Sequence, residues 1–363
     1  MKVKFVDLAR QFNSLSAEIG LAISNVLESG NYILGENVRL LEDKLAELTD
    51  NKYAIAVANG TDALIIALRL LKIGPGDEVI VPVNSFVASA GAVCAVGAIP
   101  VFVDVDSNHN LCYHAVEAAL SPRTKAIMPV HLSGRPAPMA EINEIAQRHG
   151  LYVVEDSAQA IGASYYGKKT GALGDIGAFS LHPLKNLGVA GDGGFITLSC
   201  PHLYERAMRL RNHGLIDRDT SVEWGYNSRL DEIQAAIALV KIQYLDEFNA
   251  SFKMCADYYY AQLSDIVEVP VKDHNLDPVF HNYMILSDKR DELAAFMCQK
   301  GVETKIHYPI LLCDQPAFKK YHKSELLFPV ARELNAKKLS LPIYAELTIK
   351  EQTHVVESIR AFH

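Results

Sequence analysis

Between residues 53 and 156 the chain repeats one unit: a short run rich in β-branched residues, then an Ala- and Leu-rich stretch, then another such run. Residues 53–58, 79–83, 101–105, 125–130 and 152–154 have the composition of buried strands, and residues 61–71, 88–97, 114–120 and 139–149 that of helices. A strand that returns to its sheet through a helix returns parallel to the strand before it, with the helix lying on one face. The pattern therefore predicts an α/β fold with a mainly parallel central sheet and helices on both faces.

One part of this repeat carries no Asp, Glu, Lys or Arg between Glu78 and Asp104, a length that would cross a bilayer. Pro82, Asn84, Ser85, Ser89 and Pro100 interrupt it, and its texture passes from β-branched to Ala-rich and back. A strand, helix and strand buried on both faces fit that texture better than a membrane span. The net charge of -8, with no Lys/Arg-rich run, argues against nucleic-acid binding, because phosphates need a basic surface. Asp7 precedes any apolar run long enough for a signal peptide, and the six cysteines are scattered without metal-type spacing. Together these features predict a cytoplasmic protein without a bound metal.

At 363 residues the chain is long for one simple core. Residues 14–29 and 36–48 read as helices before the repeat. After it come a short hairpin at 164–171, strands at 177–181 and 194–198, and helices at 202–211 and from 230 to about 263. Strands at 267–270 and 283–286 and helices at 291–300 and 331–339 follow. This predicts a large domain over residues 1–245 and a smaller α+β domain over residues 246–363.

Ligands of open α/β sheets bind where the strands end. After the first strand, Asn59-Gly60-Thr61 opens a helix whose N–H groups suit a phosphate, although a simple N-cap by Asn59 or Thr61 explains the same residues. Phe86, after the second strand, is either a stacking surface for a flat ring or ordinary core. Asp156 ends a buried strand, where a carboxylate needs a partner: a pyridinium N–H, or the amides of a helix that it caps. Lys185 lies between the apolar run ending at Ser180 and the glycines 188, 191, 193 and 194, where partial burial would lower its pKa and make the amine nucleophilic. Surface lysines are abundant, so Lys185 gains meaning only in combination with the others.

The combination resembles the fold-type I pyridoxal-phosphate-dependent sugar aminotransferases, the DegT/StrS-like family. The shared segments, in chain order, include Tyr32-Ile33-Leu34-Gly35, Asn59-Gly60-Thr61-Asp62-Ala63, Gly74-Pro75-Gly76-Asp77 and Glu155-Asp156. They continue with Phe179-Ser180, Lys185-Asn186-Leu187-Gly188, Asn227-Ser228-Arg229-Leu230-Asp231 and His307-Tyr308-Pro309. The resemblance implies that Lys185 carries pyridoxal 5'-phosphate as a Schiff base and moves a proton at the substrate carbon. It implies that Asp156 pairs with the ring nitrogen, Gln159 approaches the ring hydroxyl, Phe86 stacks on the ring, and Gly60, Thr61 and Ser180 bind the phosphate. Asn227 is expected to reach the phosphate of a neighbouring subunit, which implies a homodimer with shared active sites. Tyr32, His307 and Tyr308 fall on the substrate side. Arg229 either binds the donor's carboxylate or is structural, with Ser228 and Asp231 forming a capping box. For His131 and His182, packing is the simpler reading.

The implied reaction moves an amino group from L-glutamate to a nucleotide-linked ketosugar, giving an amino sugar for lipopolysaccharide, a capsule or a glycosylated metabolite. Asp192-Gly193-Gly194, where many relatives have Glu-Gly-Gly, together with Lys185-Asn186-Leu187-Gly188 resembles members that aminate C3. Ser85 stands where Thr is common, and Leu311-Leu312-Cys313 where Pro-x-His often follows His-Tyr-Pro. The alternatives are amination at C4, a free cyclitol ketone as acceptor, or a sugar-binding sensor without catalysis, which the presence of Lys185, Asp156 and Ser180 opposes.

Overall fold

The computed structural model describes residues 1–321 and 327–363. Its strands are β1 (Tyr53–Val57), β2 (Glu78–Pro82), β3 (Ile99–Val103), β4 (Thr124–Ile127), β5 (Tyr152–Asp156), β6 (Ser164–Tyr165), β7 (Lys168–Lys169), β8 (Ile176–Ser180), β9 (Gly194–Leu198), β10 (Leu276–Asp277), β11 (Tyr283–Leu286) and β12 (Lys338–Leu341). Seven of them form the central sheet in the order β1-β9-β8-β5-β4-β2-β3. The pairs from β8 through β5, β4 and β2 to β3 are parallel, and β9 runs antiparallel to both β1 and β8. The expected mainly parallel α/β sheet is therefore present, and β1, β2, β5 and β8 end on one edge.

Each parallel crossover is the helix read from the sequence, shifted by a residue or two at its ends: Gly60–Leu70, Val87–Ala95, Tyr113–Ala119 and Met139–His149. The charge-free stretch is strand, nine-residue helix and strand, and among the described residues no helix is long and apolar enough to cross a membrane. β4 stops at Ile127 rather than at residue 130, because Pro129 has no N–H to continue the ladder. The expected helix at 14–29 is Ser16–Ser29, and an additional helix, Leu8–Ser14, precedes it; Asp7 Oδ1 caps that first helix, accepting from Arg10 N–H at 3.3 Å. A 3-10 turn at Ile242–Tyr244 divides the expected helix from 230 to 263 into Glu232–Lys241 and Leu245–Leu263.

Further along, residues 267–270 do not form a strand: only Glu268 bridges, to Leu286, and Pro270 cannot donate. The helix expected at 331–339 is Pro329–Lys337, and the chain then extends as β12 to pair antiparallel with β11. The terminal helix Ile349–Arg360 has no counterpart in the sequence reading, although its capping box between Thr348 and Glu351 is a local signal. Of the cysteines, only Cys255 and Cys313 are buried.

The apolar interior forms several clusters. One packs the central sheet with the helices on one face and takes in Leu311, Leu312, Cys313, Phe318, Phe328, Ala331 and Leu334. Another joins Phe252, Tyr259, Tyr283, Met297, Leu341 and Ile359, and Val3 from the other end of the chain inserts into it.

Candidate active site

The sheet edge gathers four strand ends. At the end of β1, the Gly60–Leu70 helix begins beside Ser180, so close that a Cβ on Gly60 would sit 2.8 Å from Ser180 Cβ. Gly194 lies opposite both Ser180 and Val57, and a Cβ there would sit 2.4 Å from the Asn59 carbonyl carbon. Glycine at both positions lets a helix N-terminus approach a serine hydroxyl. Asn59 does cap this helix, its Oδ1 accepting from Asp62 N–H at 2.8 Å, so that part of the simpler reading holds. The cap leaves the first-turn amides of Gly60 and Thr61 for an outside acceptor, with the Thr61 side chain exposed and the Ser180 hydroxyl alongside.

Asp156, at the end of β5, is 5 % exposed. Its Oδ2 accepts from Ser89 Oγ at 2.6 Å and its Oδ1 from Ala158 N–H at 3.2 Å. Burial raises the Asp156 pKa, opposed first by the Ser89 bond and more weakly by the Lys185 charge. Lys185 follows β8 in a turn closed by its N–H on the His182 carbonyl at 2.8 Å. Burial pushes the Lys185 amine down to about 8, against the opposing pull of Asp156. Among the described residues the amine has no ion pair. The turn is pinned from behind: Asn186 Nδ2 donates to Asn249 Oδ1 at 2.8 Å and to the Val279 carbonyl at 3.0 Å, and Lys241 Nζ donates to the Gly188 carbonyl. Asn249 and Lys241 are distant in sequence and carry no motif that would have marked them.

Gln159 is held at both ends of its amide, Oε1 accepting from Ser133 N–H at 2.6 Å and Nε2 donating to Tyr308 Oη at 2.9 Å. Phe86 is half exposed, its ring centroid 5.4 Å from that of Tyr308. His307 shares a hydrogen bond of 2.9 Å with Ser340 Oγ and lies 5.7 Å from the Phe5 ring. Burial, reinforced by the Lys185 charge, takes the His307 imidazole down to about 4, which keeps it neutral. His281, absent from the sequence reading, lines the small cavity beside Lys185 together with His307, and its buried Nδ1 has no partner among the described residues. Lys185 and His307 thus line one cavity, and Tyr308, next to His307 in the chain, touches both Phe86 and Gln159.

His131 is fully buried, and its Nδ1 accepts from Ala137 N–H at 3.0 Å. Its Nε2–H therefore donates to Glu155 Oε2 at 2.9 Å, and packing is its role. His182 is exposed, so the packing expectation is corrected there: the residue sits on the open side of the lysine turn.

Tyr32, Asn227 and Arg229 form a second group. Tyr32 and Asn227 are exposed, and the Tyr32 carbonyl accepts from Glu232 N–H at 3.0 Å beside the Ile33–Asp231 bridge. Arg229 Nη1 donates to Asn212 Oδ1 at 3.0 Å. No hydrogen bond or ring contact joins this group to the Lys185 cluster among the described residues. The expected capping box is not formed: the helix begins at Glu232, and Ser228 Oγ instead accepts from Ala58 N–H at 3.2 Å. Capping requires the hydroxyl at the N-cap, and that position is taken by Asp231.

A helix N-terminus beside a serine hydroxyl, a buried carboxylate without a full complement of donors, an unpaired amine of lowered pKa and an exposed aromatic face fit the phosphate, ring nitrogen, aldehyde and ring plane of pyridoxal 5'-phosphate. The fold and the site define a pyridoxal-phosphate-dependent aminotransferase. The chain belongs to the DegT/DnrJ/EryC1/StrS aminotransferase family, whose model matches residues 13–360. It is 41% identical over 362 residues to the dTDP-3-amino-3,4,6-trideoxy-alpha-D-glucose transaminase of Streptomyces venezuelae, covering 99% of this chain and 96% of that one. It is 42% identical over 368 residues to a pleiotropic regulatory protein of Geobacillus stearothermophilus, covering 100% and 99%. The crystal structure of S. venezuelae DesV in complex with a ketimine intermediate superposes with a TM-score of 0.97 at 40% identity, covering 99% and 98% of the two chains.

Proposed function

We propose that the enzyme transfers the amino group of L-glutamate to C3 of a nucleotide-linked ketosugar in the cytoplasm, giving an amino sugar for a surface polysaccharide or a glycosylated metabolite. The observation that carries this reading is the unpaired Lys185 amine at the sheet edge with Asp156, in a chain similar over its full length to a 3-amino-sugar transaminase. The cofactor supplies an electron sink for the substrate carbon. Lys185 anchors it and then takes and returns a proton at that carbon, which an amine titrating at about 8 does efficiently. Asp156 keeps a positive charge on the ring nitrogen, Gln159 orients the ring hydroxyl, and Phe86 covers one face. Gly60, Thr61 and Ser180 hold the phosphate. Neutral His307 and Tyr308 face the sugar.

Asn227, Tyr32 and Arg229 act across a subunit boundary in this proposal, with Asn227 on the partner's phosphate. Arg229 has five donors, of which Asn212 takes one, and the others are assigned to the donor's carboxylate. The exposed apolar residues Ile216, Val222 and Trp224, just before Asn227, support a homodimer contact there. The division at residues 245 and 246 is kept as part of the proposal and is supported by the cluster built mainly from residues after Leu245.

The kinship with a regulatory protein favours a second reading, a sugar-binding sensor without catalysis. An absorption spectrum with pyridoxal phosphate, before and after L-glutamate, separates the two. A visible band that is absent in Lys185→Ala and is bleached by glutamate supports the transaminase, and a panel of nucleotide ketosugars then identifies the acceptor. A cofactor spectrum indifferent to Lys185 would leave the sensor.

A further inference from the structure

Asp156 is the end of a chain of hydroxyls. Ser85 Oγ lies 2.6 Å from Ser89 Oγ, and Ser89 Oγ lies 2.6 Å from Asp156 Oδ2. All three side chains are buried, Ser89 completely. An ionised carboxylate only accepts, so the single Ser89 proton must point at Asp156, and the bond between the two serines must be donated by Ser85. The chain therefore has one direction while Asp156 is charged, and it can run in reverse only if Asp156 takes up a proton.

The two serines lie four residues apart on either side of Phe86, the N-cap of the Val87–Ala95 helix, and Ser89 N–H donates to the Phe86 carbonyl at 3.2 Å. One short segment thus carries both the aromatic face expected to cover the cofactor ring and the hydroxyl bonded to the partner of the ring nitrogen. We infer that Ser89, oriented by Ser85, is a positioning residue that keeps Asp156 ionised and aimed at the ring nitrogen, in fixed register with Phe86. A short O–H bond to a charged acceptor is among the stronger hydrogen bonds available in a protein, and a second hydroxyl behind it strengthens the first by polarisation. The other groups acting on Asp156 are the Ala158 N–H and, through charge, Lys185 and His131, none of which is on this segment. The inference rests on the assignment of Asp156 to the cofactor ring and not on the identity of the sugar.

The test is the equilibrium affinity of the cofactor-free protein for pyridoxamine phosphate, which forms no bond to lysine, measured by fluorescence titration. Ser89→Ala should weaken it by about tenfold and Ser85→Ala by about threefold, whereas Ser85→Thr, which keeps the hydroxyl, should match wild type. In the Asp156→Asn background, Ser89→Ala should cost less than about twofold, because the charge it serves is gone. Thermal denaturation of each variant checks that the fold is retained. Equal losses in both backgrounds, or a Ser85→Thr variant as weak as Ser85→Ala, would overturn the inference. An affinity unchanged by Asp156→Asn alone would sink the assignment of Asp156, and this inference with it.

Discussion

Gly60 and Ser180 stand so close that the α-carbon of one and the β-carbon of the other leave no room for a methyl group; a Cβ on Gly60 would lie 2.8 Å from Ser180 Cβ. Gly60→Ala must push the helix start away from the serine that completes the cradle. We expect pyridoxal phosphate affinity to fall by about tenfold or more while far-ultraviolet circular dichroism stays unchanged. Retained affinity would mean that the phosphate does not lie there.

If Lys185 anchors the cofactor as proposed, the cofactor-free protein should capture pyridoxal phosphate faster as pH rises, levelling off above about 8, where its amine is neutral. Asp156 favours the charged amine, so Asp156→Asn should move that midpoint down. Stopped-flow absorbance across pH reads both effects; a midpoint near that of a free lysine would contradict the burial of Lys185.

Glu155 is fully buried and takes four donors: Leu173 and Gly174 N–H on Oε1, His131 Nε2–H and Gly171 N–H on Oε2. An amide in either orientation would turn its own N–H groups against two of these donors. Glu155→Gln should therefore lower unfolding free energy by about 3 kcal/mol or more, seen as an earlier denaturant midpoint. A loss under about 1 kcal/mol would show that the network relaxes around the amide.

Arg10 Nη1 and Nη2 bond both oxygens of Glu351, at 2.8 and 2.9 Å, and hold that carboxyl down at about 2. Because the folded value is depressed, the stabilisation is complete above the ordinary value of 4.5 and is lost as pH falls from there toward about 2. Wild type should lose more thermal stability across that window than Glu351→Gln, and parallel curves would show that solvent screens the pair.

What was legible in the sequence is what is local. Strands β1 to β5 and their crossovers announce themselves by texture within about ten residues, and the topology rules for parallel sheets do the rest. Asp156, Gly60 and Ser180 stand out at strand ends and Lys185 only in combination with them, and the structure brings all four to one edge of the sheet. The misses were of two kinds. Thr348 with Glu351, and Ser89 four residues after Ser85, were local signals passed over. Asn249 behind Asn186, Lys241 behind Gly188, and Ser228 on Ala58 depend on distances in space that no spacing in sequence encodes.

The packing of Leu311, Leu312, Cys313, Phe318, Phe328, Ala331 and Leu334 against the sheet's own apolar cluster has a consequence for synthesis. A ribosome delivers the sheet strands first, yet the face that these residues cover stays wet until residues 311–334 have emerged. Val3 waits even longer, since its pocket includes Ile359. The cluster that holds Val3 therefore closes only after Ile359 has been made, as a single stitch drawn tight between distant parts of the sequence.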